Sequence, residues 1–293
     1  MNSFFLESLD RTLREGLALM SGDFAWQHAR FVLGRQSSDG GFRGRQGGPD
    51  LYYTDFALRV LSLAGLAAGT GDRIGRWLQK SRRAPRDVVE CFSQLNLVRL
   101  LEQSGITVAV DELRLPPFEF TAYNCFLAAL CCEMLEIPFP ERERAIASTA
   151  SLARPGGGYA NESGASAAQT NATAAAVAFL ALMGAAERVD APETAGFLAS
   201  MQASSGGLKA HAAAEDADLL STFTGLVAIS TLDSIGKIDL PAISRFLRDM
   251  AVPCGGFRAC HGDAEPDVEY TYYGLATAAM LRNHVAARKT EKK

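Results

Sequence analysis

The sequence predicts an all-α fold built from stacked helical hairpins. Three observations predict it. A glycine pair followed by an aromatic or large apolar residue recurs four times, as Gly40-Gly41-Phe42, Gly157-Gly158-Tyr159, Gly206-Gly207-Leu208 and Gly255-Gly256-Phe257. The second glycines of the last three, Gly158, Gly207 and Gly256, stand 49 residues apart (207 − 158 and 256 − 207), and a fixed period of this size marks stacked supersecondary units. Downstream of each pair comes a helix-start signal, at Asp50 to Thr54, Gln169 to Thr173, Asp218 to Thr222 and Asp267 to Thr271. Glycine is wanted where a helix ends and the chain turns through positive φ. An acid at the next start satisfies free N–H groups and the positive dipole end. Each unit therefore reads as helix, glycine turn, loop, helix.

Taken in order, Phe4, Phe5, Leu9, Leu13 and Leu17 keep helical spacing over residues 3–20, and a second helix over 23–35 is stopped by Ser37-Ser38-Asp39-Gly40-Gly41. The loop Arg43-Gly44-Arg45-Gln46-Gly47-Gly48-Pro49 follows, and Asp50 opens a helix over 52–67. A weaker unit without a glycine pair covers 72–105, with helices near 72–80 and 87–103 broken at Ala84-Pro85. Pro116-Pro117 opens an apolar helix over 118–136, which Pro138 and Pro140 end. Helices over 141–152, 168–186, 192–203, 218–234, 241–250 and 268–287 bring the count to twelve. No convincing strand alternation appears, and a solvated, disordered tail is expected from about residue 286.

The helix after each glycine loop is apolar nearly all round, as in Ala172–Met183 or Phe223–Leu232, which is the mark of burial on both sides. The other helix is amphipathic: Ile243, Phe246, Leu247 and Met250 share one face of 241–250, while Arg245 and Arg248 point elsewhere. Six buried helices ringed by six outer ones make an α/α toroid, a barrel of six hairpins in a single domain over 1–293. The inner helices (52–67, 87–103, 118–136, 168–186, 218–234 and 268–287) then run the same way. Their N-termini, with Asp50, Gln169, Asp218 and Asp267, gather at one mouth of a central cavity, a place that suits anionic ligands. Tyr52, Tyr53, Phe56, Phe120, Tyr123, Phe223, Tyr270 and Tyr273 line it. Such an apolar tunnel fits a long hydrocarbon carrying a diphosphate; the plain alternative is that these aromatics fill the middle of the ring.

Composition excludes several classes. With 48% hydrophobic and 21% charged residues a large core can form. A net charge of −4 offers no general attraction to nucleic acid or anionic membrane. No run of about 20 apolar residues could span a bilayer, and the acidic residues at Glu7 and Asp10 argue against a secretory signal. Cys91, Cys125, Cys131, Cys132, Cys254 and Cys260 show no CxxC spacing and read as reduced core thiols in a cytoplasmic protein.

The stretches Leu33 to Phe42 and Asp50 to Leu58, the segment from Gln202 to Leu208, and the final Gly255 to Thr271 resemble the repeat shared by protein prenyltransferase β subunits and terpene (squalene) cyclases. The resemblance covers most of residues 23–285 and implies the α/α toroid, with less to say of the reaction. The β subunits hold a zinc through an Asp, a Cys two residues on, and a His before the last repeat's Thr. The matching positions here are Asp218, Leu220 and Tyr270, so one ligand of three is kept and no metal site is expected; the remaining carboxylates would suit magnesium better than zinc. The diphosphate clamp is also thinned, to Lys209 and His211, with Arg43 and Arg45 of the first repeat at comparable loop positions. The cyclases use an Asp two residues after the motif's first Asp as acid. That place is Leu220 in one repeat and Glu269, beside Asp267, in the last.

The resemblance thus implies an isoprenoid-binding protein acting on a prenyl diphosphate or polyprene chain, beside a helical-repeat partner subunit. Asp218, Glu269 and Asp267 are candidate catalytic groups. Arg43, Arg45, Tyr52, Tyr53, Lys209, His211, Phe223, Tyr270 and Tyr273 are candidate substrate contacts. The acids at helix starts read equally as caps. A non-catalytic toroid that scaffolds a protein partner is the alternative.

Overall fold

The computed structural model describes residues 5–81, 83–108 and 113–290. Among them stand twelve α-helices: α1 (Phe5–Ala18), α2 (Gly22–Leu33), α3 (Leu51–Leu63), α4 (Ala67–Lys80), α5 (Val88–Gln103), α6 (Ala122–Met134), α7 (Arg142–Ser151), α8 (Thr170–Leu182), α9 (Ala191–Ser200), α10 (Leu219–Thr231), α11 (Leu240–Met250) and α12 (Val268–Thr290). The only sheet among the described residues is a two-stranded antiparallel pair, β1 (Leu208–Lys209) with β2 (Ala217–Asp218).

Two elements differ from those the sequence predicts. Pro116 and Pro117 do not open α6. Residues 113–121 run without helix, and the helix starts only where the Thr121 hydroxyl accepts the Asn124 N–H at 3.1 Å. Proline fits an extended segment as readily as a first helical turn, and it drives the residue before it away from the helical region. Among the described residues no helix therefore stands between α5 and α6. At the other end, α12 continues to Thr290, past the point where a tail was expected; residues 291–293 lie outside the described residues.

One local device makes the glycine turn. In each repeat the residue after the glycine pair donates its N–H to a threonine hydroxyl in the following helix. The pairs are Phe42 to Thr54 and Tyr159 to Thr173 at 2.9 Å, Leu208 to Thr222 at 2.9 Å, and Phe257 to Thr271 at 3.1 Å. All four threonines are buried at 0% exposure, so no water could replace these bonds. The glycines are required because the turn docks on the next outer helix. Gly206 has φ +105°, and a Cβ there would lie 2.2 Å from the Ala242 carbonyl oxygen of α11. Gly40 meets Arg73 of α4 and Gly157 meets Glu193 of α9 in the same manner, and Gly255 meets Gln27 of α2. The last turn thus docks on the first repeat's outer helix.

The contacts fall into two units. The first holds 1–117, 251–258 and 263–293; the second holds 118–250 and 259–262. In the first, α3 lies between α12 and α5, α4 covers α3 and α5, and α1 and α2 pack on α12 and α3. In the second, α8 lies between α6 and α10, with α7, α9 and α11 on the outside. The apolarity contrast holds: α8 is buried at Thr170 and from Ala172 to Leu180, whereas α11 buries Ile243, Phe246, Leu247 and Met250 and exposes Arg245 and Arg248. Each such Phe or Ile on α11 contributes about 1.5–3 kcal/mol of burial. Cys91, Cys125, Cys131 and Cys132 are core thiols as expected; Cys254 is exposed and Cys260 half-buried, because both lie in the last repeat's loop rather than on a helix.

Candidate functional site

The first unit brings α3 and α12 side by side, so the first turns of both helices share one place. Asp267 opens α12: its N–H is held by the Phe257 carbonyl at 2.9 Å, and its Oδ1 accepts the Glu269 N–H at 2.9 Å. That cap aims Glu269 at α3, where the Tyr52 hydroxyl donates to Glu269 Oε1 at 2.7 Å. One turn along α12, Tyr273 donates to the same oxygen at 3.2 Å. The rings of these two tyrosines pack into an aromatic layer. Phe56 stands 4.9 Å from Tyr52 and 5.4 Å from Tyr273, centre to centre, and Tyr270 stands 6.1 Å from Tyr273, all edge to face. Tyr53 packs edge-on to Tyr52, its ring lying on Gly44, where a Cβ would come within 2.4 Å. That contact explains the glycine between Arg43 and Arg45.

Burial pushes the Glu269 carboxyl above the usual carboxylate range. The Tyr52 and Tyr273 hydroxyls and Arg59 pull it back, and Asp267 adds to the rise. Asp267 is raised as well, again by burial, against its backbone hydrogen bond and Arg45. Tyr53 is pushed up to about 12 by burial and by the nearby carboxylates of Asp267, Glu269 and Asp50.

Arg45 does reach this place, but not as a free cation. Both of its terminal nitrogens bond Asp263, one at 2.8 Å, and its Nε lies 3.5 Å from Asp267 Oδ2. Arg43 is exposed on the loop. Asp50 is a cap, its Oδ1 accepting the Tyr53 N–H at 2.7 Å. Of the charges around Glu269, Asp267 works against its ionisation and Arg59 for it, while Arg45 is already held by Asp263 and Asp267.

Behind the tyrosines lies a polar chain that the sequence did not reveal. Arg59 pairs with Asp55 four residues earlier on α3, and Asp55 accepts the Asn96 amide of α5 at 2.5 Å. Asn96 Oδ1 accepts Arg99 at 2.7 and 3.0 Å, and Arg99 pairs at 2.8 Å with Asp10 of α1. Burial works against the Arg59 charge, and Asp55 beside it outweighs that and holds the guanidinium charged. It lies over the faces of Phe56, Phe92 and Tyr272 at 4.6–5.4 Å. The only sequence signal was the Asp55–Arg59 spacing of four on an otherwise apolar helix.

The second unit holds the remaining candidates. Asp218 caps α10, accepting the Ser221 N–H at 2.7 Å and the Ser221 hydroxyl at 2.8 Å; burial raises its carboxyl, and these bonds pull it back. Lys209 donates to the Ala212 carbonyl at 3.0 Å, His211 is half-buried in the same loop, and Phe223 is buried in α10. Gln169 stands at the start of α8 without a side-chain cap, and the Thr170 hydroxyl donates to Lys209 O at 2.6 Å. Among the described residues no three His, Cys, Asp or Glu side chains form a group that could hold a metal.

A family model described as the prenyltransferase alpha-alpha toroid domain matches residues 22–98 and 119–292. The chain belongs to this family. Its fold class is the all-α toroid of prenyltransferase-like proteins, built on the hairpin repeat that the glycine turns announce. Among solved structures it is similar to the Candida albicans protein geranylgeranyltransferase-I complexed with GGPP, at 14% identity and TM-score 0.43, over 92% of this chain and 83% of that one. No curated protein matches it. Among the described residues no helix of this family member is long and apolar enough to cross a membrane.

Proposed function

We propose that the chain binds an isoprenoid against the aromatic layer of α3 and α12 and acts on it in a prenyltransferase- or terpene-cyclase-like reaction, with Glu269 as the acid. The observation that carries the reading is a carboxyl raised by burial and oriented by two tyrosine hydroxyls whose rings pack with those of Phe56 and Tyr270. Such a group can protonate an alkene. The O–H bond of Glu269 breaks, the alkene π pair forms a new C–H bond, and the positive charge is left on the more substituted carbon. Aromatic faces attract that cation. Loss of a proton from the final cation completes the balance, and water reprotonates Glu269.

A neutral polyprene chain suits the site better than a prenyl diphosphate, since Arg45 is already paired with Asp263 and Asp267. Zinc chemistry does not fit the residues present. Leu220 carries no donor atom, Tyr270 replaces an imidazole, and Asp218 already caps α10. The same losses favour a second reading, a non-catalytic toroid that scaffolds a protein partner in the cytoplasm.

Thermal unfolding separates the two. A ligand that binds only the folded chain raises its midpoint by mass action. Squalene-like or geranylgeraniol chains should raise it more than geranylgeranyl diphosphate, and Glu269→Gln should keep that shift while abolishing turnover. No shift with any isoprenoid at saturation would leave the scaffold reading standing.

A further inference from the structure

We infer that Tyr52 and Tyr273 are positioning residues that reserve Oε1 of Glu269 as the acceptor oxygen and so make Oε2 the atom that carries and gives up the proton. The inference rests on Glu269 being the acid, and it adds which oxygen acts and what selects it.

Both side-chain hydrogen bonds that Glu269 accepts among the described residues fall on Oε1, from Tyr52 at 2.7 Å and Tyr273 at 3.2 Å. In a protonated carboxyl the two oxygens differ: the carbonyl oxygen is the strong acceptor, and the hydroxyl oxygen carries the proton. Two phenol donors converging on one oxygen therefore select it as the carbonyl. Turning the carboxyl over would make Oε1 the hydroxyl oxygen, a weaker acceptor whose one proton can serve only one of the two phenols, so the pair of bonds to a strong acceptor would be lost. The donors come from different helices, so the plane of the carboxyl is fixed from two sides.

The other charged and titratable groups facing Glu269 leave that choice intact. On α12, Asp267 is turned to the Glu269 N–H and to Arg45. On α3, Arg59 is held by Asp55, and Tyr53 lies over Gly44. Asp267 opposes a second negative charge, and Arg59 favours it. If the tyrosines served only as packing, removing their hydroxyls would leave the carboxyl's titration where it is.

The test follows the Glu269 carboxyl by infrared difference spectroscopy across pH in the full chain, with Glu269→Gln identifying its C=O band. In Tyr52→Phe the apparent pKa should rise, on the order of tenfold in proton affinity, because a bond to the charged form is lost. The C=O band of the protonated acid should move to higher frequency as well. Tyr273→Phe should do both by less, its bond being longer. Circular dichroism establishes that each variant is folded; if Tyr52→Phe does not fold, Tyr273→Phe alone carries the same test. An unchanged or lowered pKa and an unmoved band in a folded variant would overturn the inference. No isoprenoid enters this measurement, so a failure to bind isoprenoid would defeat the proposed function and leave the titration result as it stands.

Discussion

His28 of α2 accepts the Gly256 N–H on Nδ1 at 3.0 Å, its ring stacked on Phe257 at 4.3 Å. The contact joins the first repeat's outer helix to the last glycine turn, and it works only while Nδ1 carries no proton. Burial lowers the pKa of His28 to about 4, and the Gly256 bond, made only to the unprotonated Nδ1, favours the same neutral form. Between this value and the unfolded value of about 6.5 the unfolded chain binds the extra proton. Stability from His28 is therefore complete above about pH 6.5 and is lost as pH falls towards 4, by about 3 kcal/mol in all. In His28→Gln, which cannot titrate, the fall in urea midpoint between pH 7 and 4.5 should be smaller than in the wild type. Equal falls would remove His28 from the account.

The four buried threonines predict a second result. Thr222→Val keeps the shape but leaves the Leu208 N–H buried without its 2.9 Å acceptor, which costs about 1–3 kcal/mol. Thr222→Ser keeps the hydroxyl and should cost less, mainly the lost methyl. Chemical unfolding of the two variants measures the difference. A smaller loss in the valine variant would mean that the hydroxyl is not the anchor.

The repeat was legible because its parts are local. Glycine pairs, a fixed 49-residue step and apolar or amphipathic windows lie within one stretch of chain each, and all twelve helices follow from them. The prolines at 116 and 117 misled because their fixed φ suits two conformations. The site was legible only as a set of names. Tyr52 and Glu269 could be singled out, but their bond spans 217 residues, and Arg45 to Asp263 spans 218. The pairing of Arg45 is not legible in the sequence because its carboxylate partners, Asp263 and Asp267, sit in another repeat. The chain of Asn96, Arg99 and Asp10 is not legible because a polar or charged residue on a helix reads as solvated until a neighbouring helix covers it.

Glycine substitutions should separate docking from simple turn strain. At Gly206 a methyl group would meet both a positive φ and the Ala242 carbonyl at 2.2 Å, so Gly206→Ala must push the turn off α11. Gly47 also has positive φ, at +80°, but nothing lies within 4 Å of its added Cβ. Gly47→Ala should cost only the left-handed strain, about 1–2 kcal/mol, and Gly206→Ala distinctly more. Denaturant midpoints read the difference, and similar losses at the two positions would argue against docking as the reason for the glycine pair.

The last prediction concerns metal. A zinc site needs at least three protein ligands at about 2.0–2.3 Å, drawn from thiolate, imidazole and carboxylate. Of the three positions the repeat would supply, Asp218 is a cap whose Oδ1 and Oδ2 accept the N–H and hydroxyl of Ser221. Leu220, two residues on, has no lone pair to give, and Tyr270 offers a phenol in place of an imidazole and packs on Tyr273. A phenol with a pKa near 10 is a poor zinc ligand at neutral pH beside a histidine. The purified chain should therefore carry no stoichiometric zinc, and chelators should leave its unfolding midpoint unchanged. It should also fail to alkylate a peptide cysteine with a prenyl diphosphate, because no metal is present to hold the thiolate. Elemental analysis showing one zinc per chain, lost on Asp218→Ala, would overturn this assignment and move the chemistry back to thiolate transfer. Absence of zinc, with turnover abolished by Glu269→Gln and retained in Asp218→Asn, would place the reaction at the carboxyl held by Tyr52 and Tyr273.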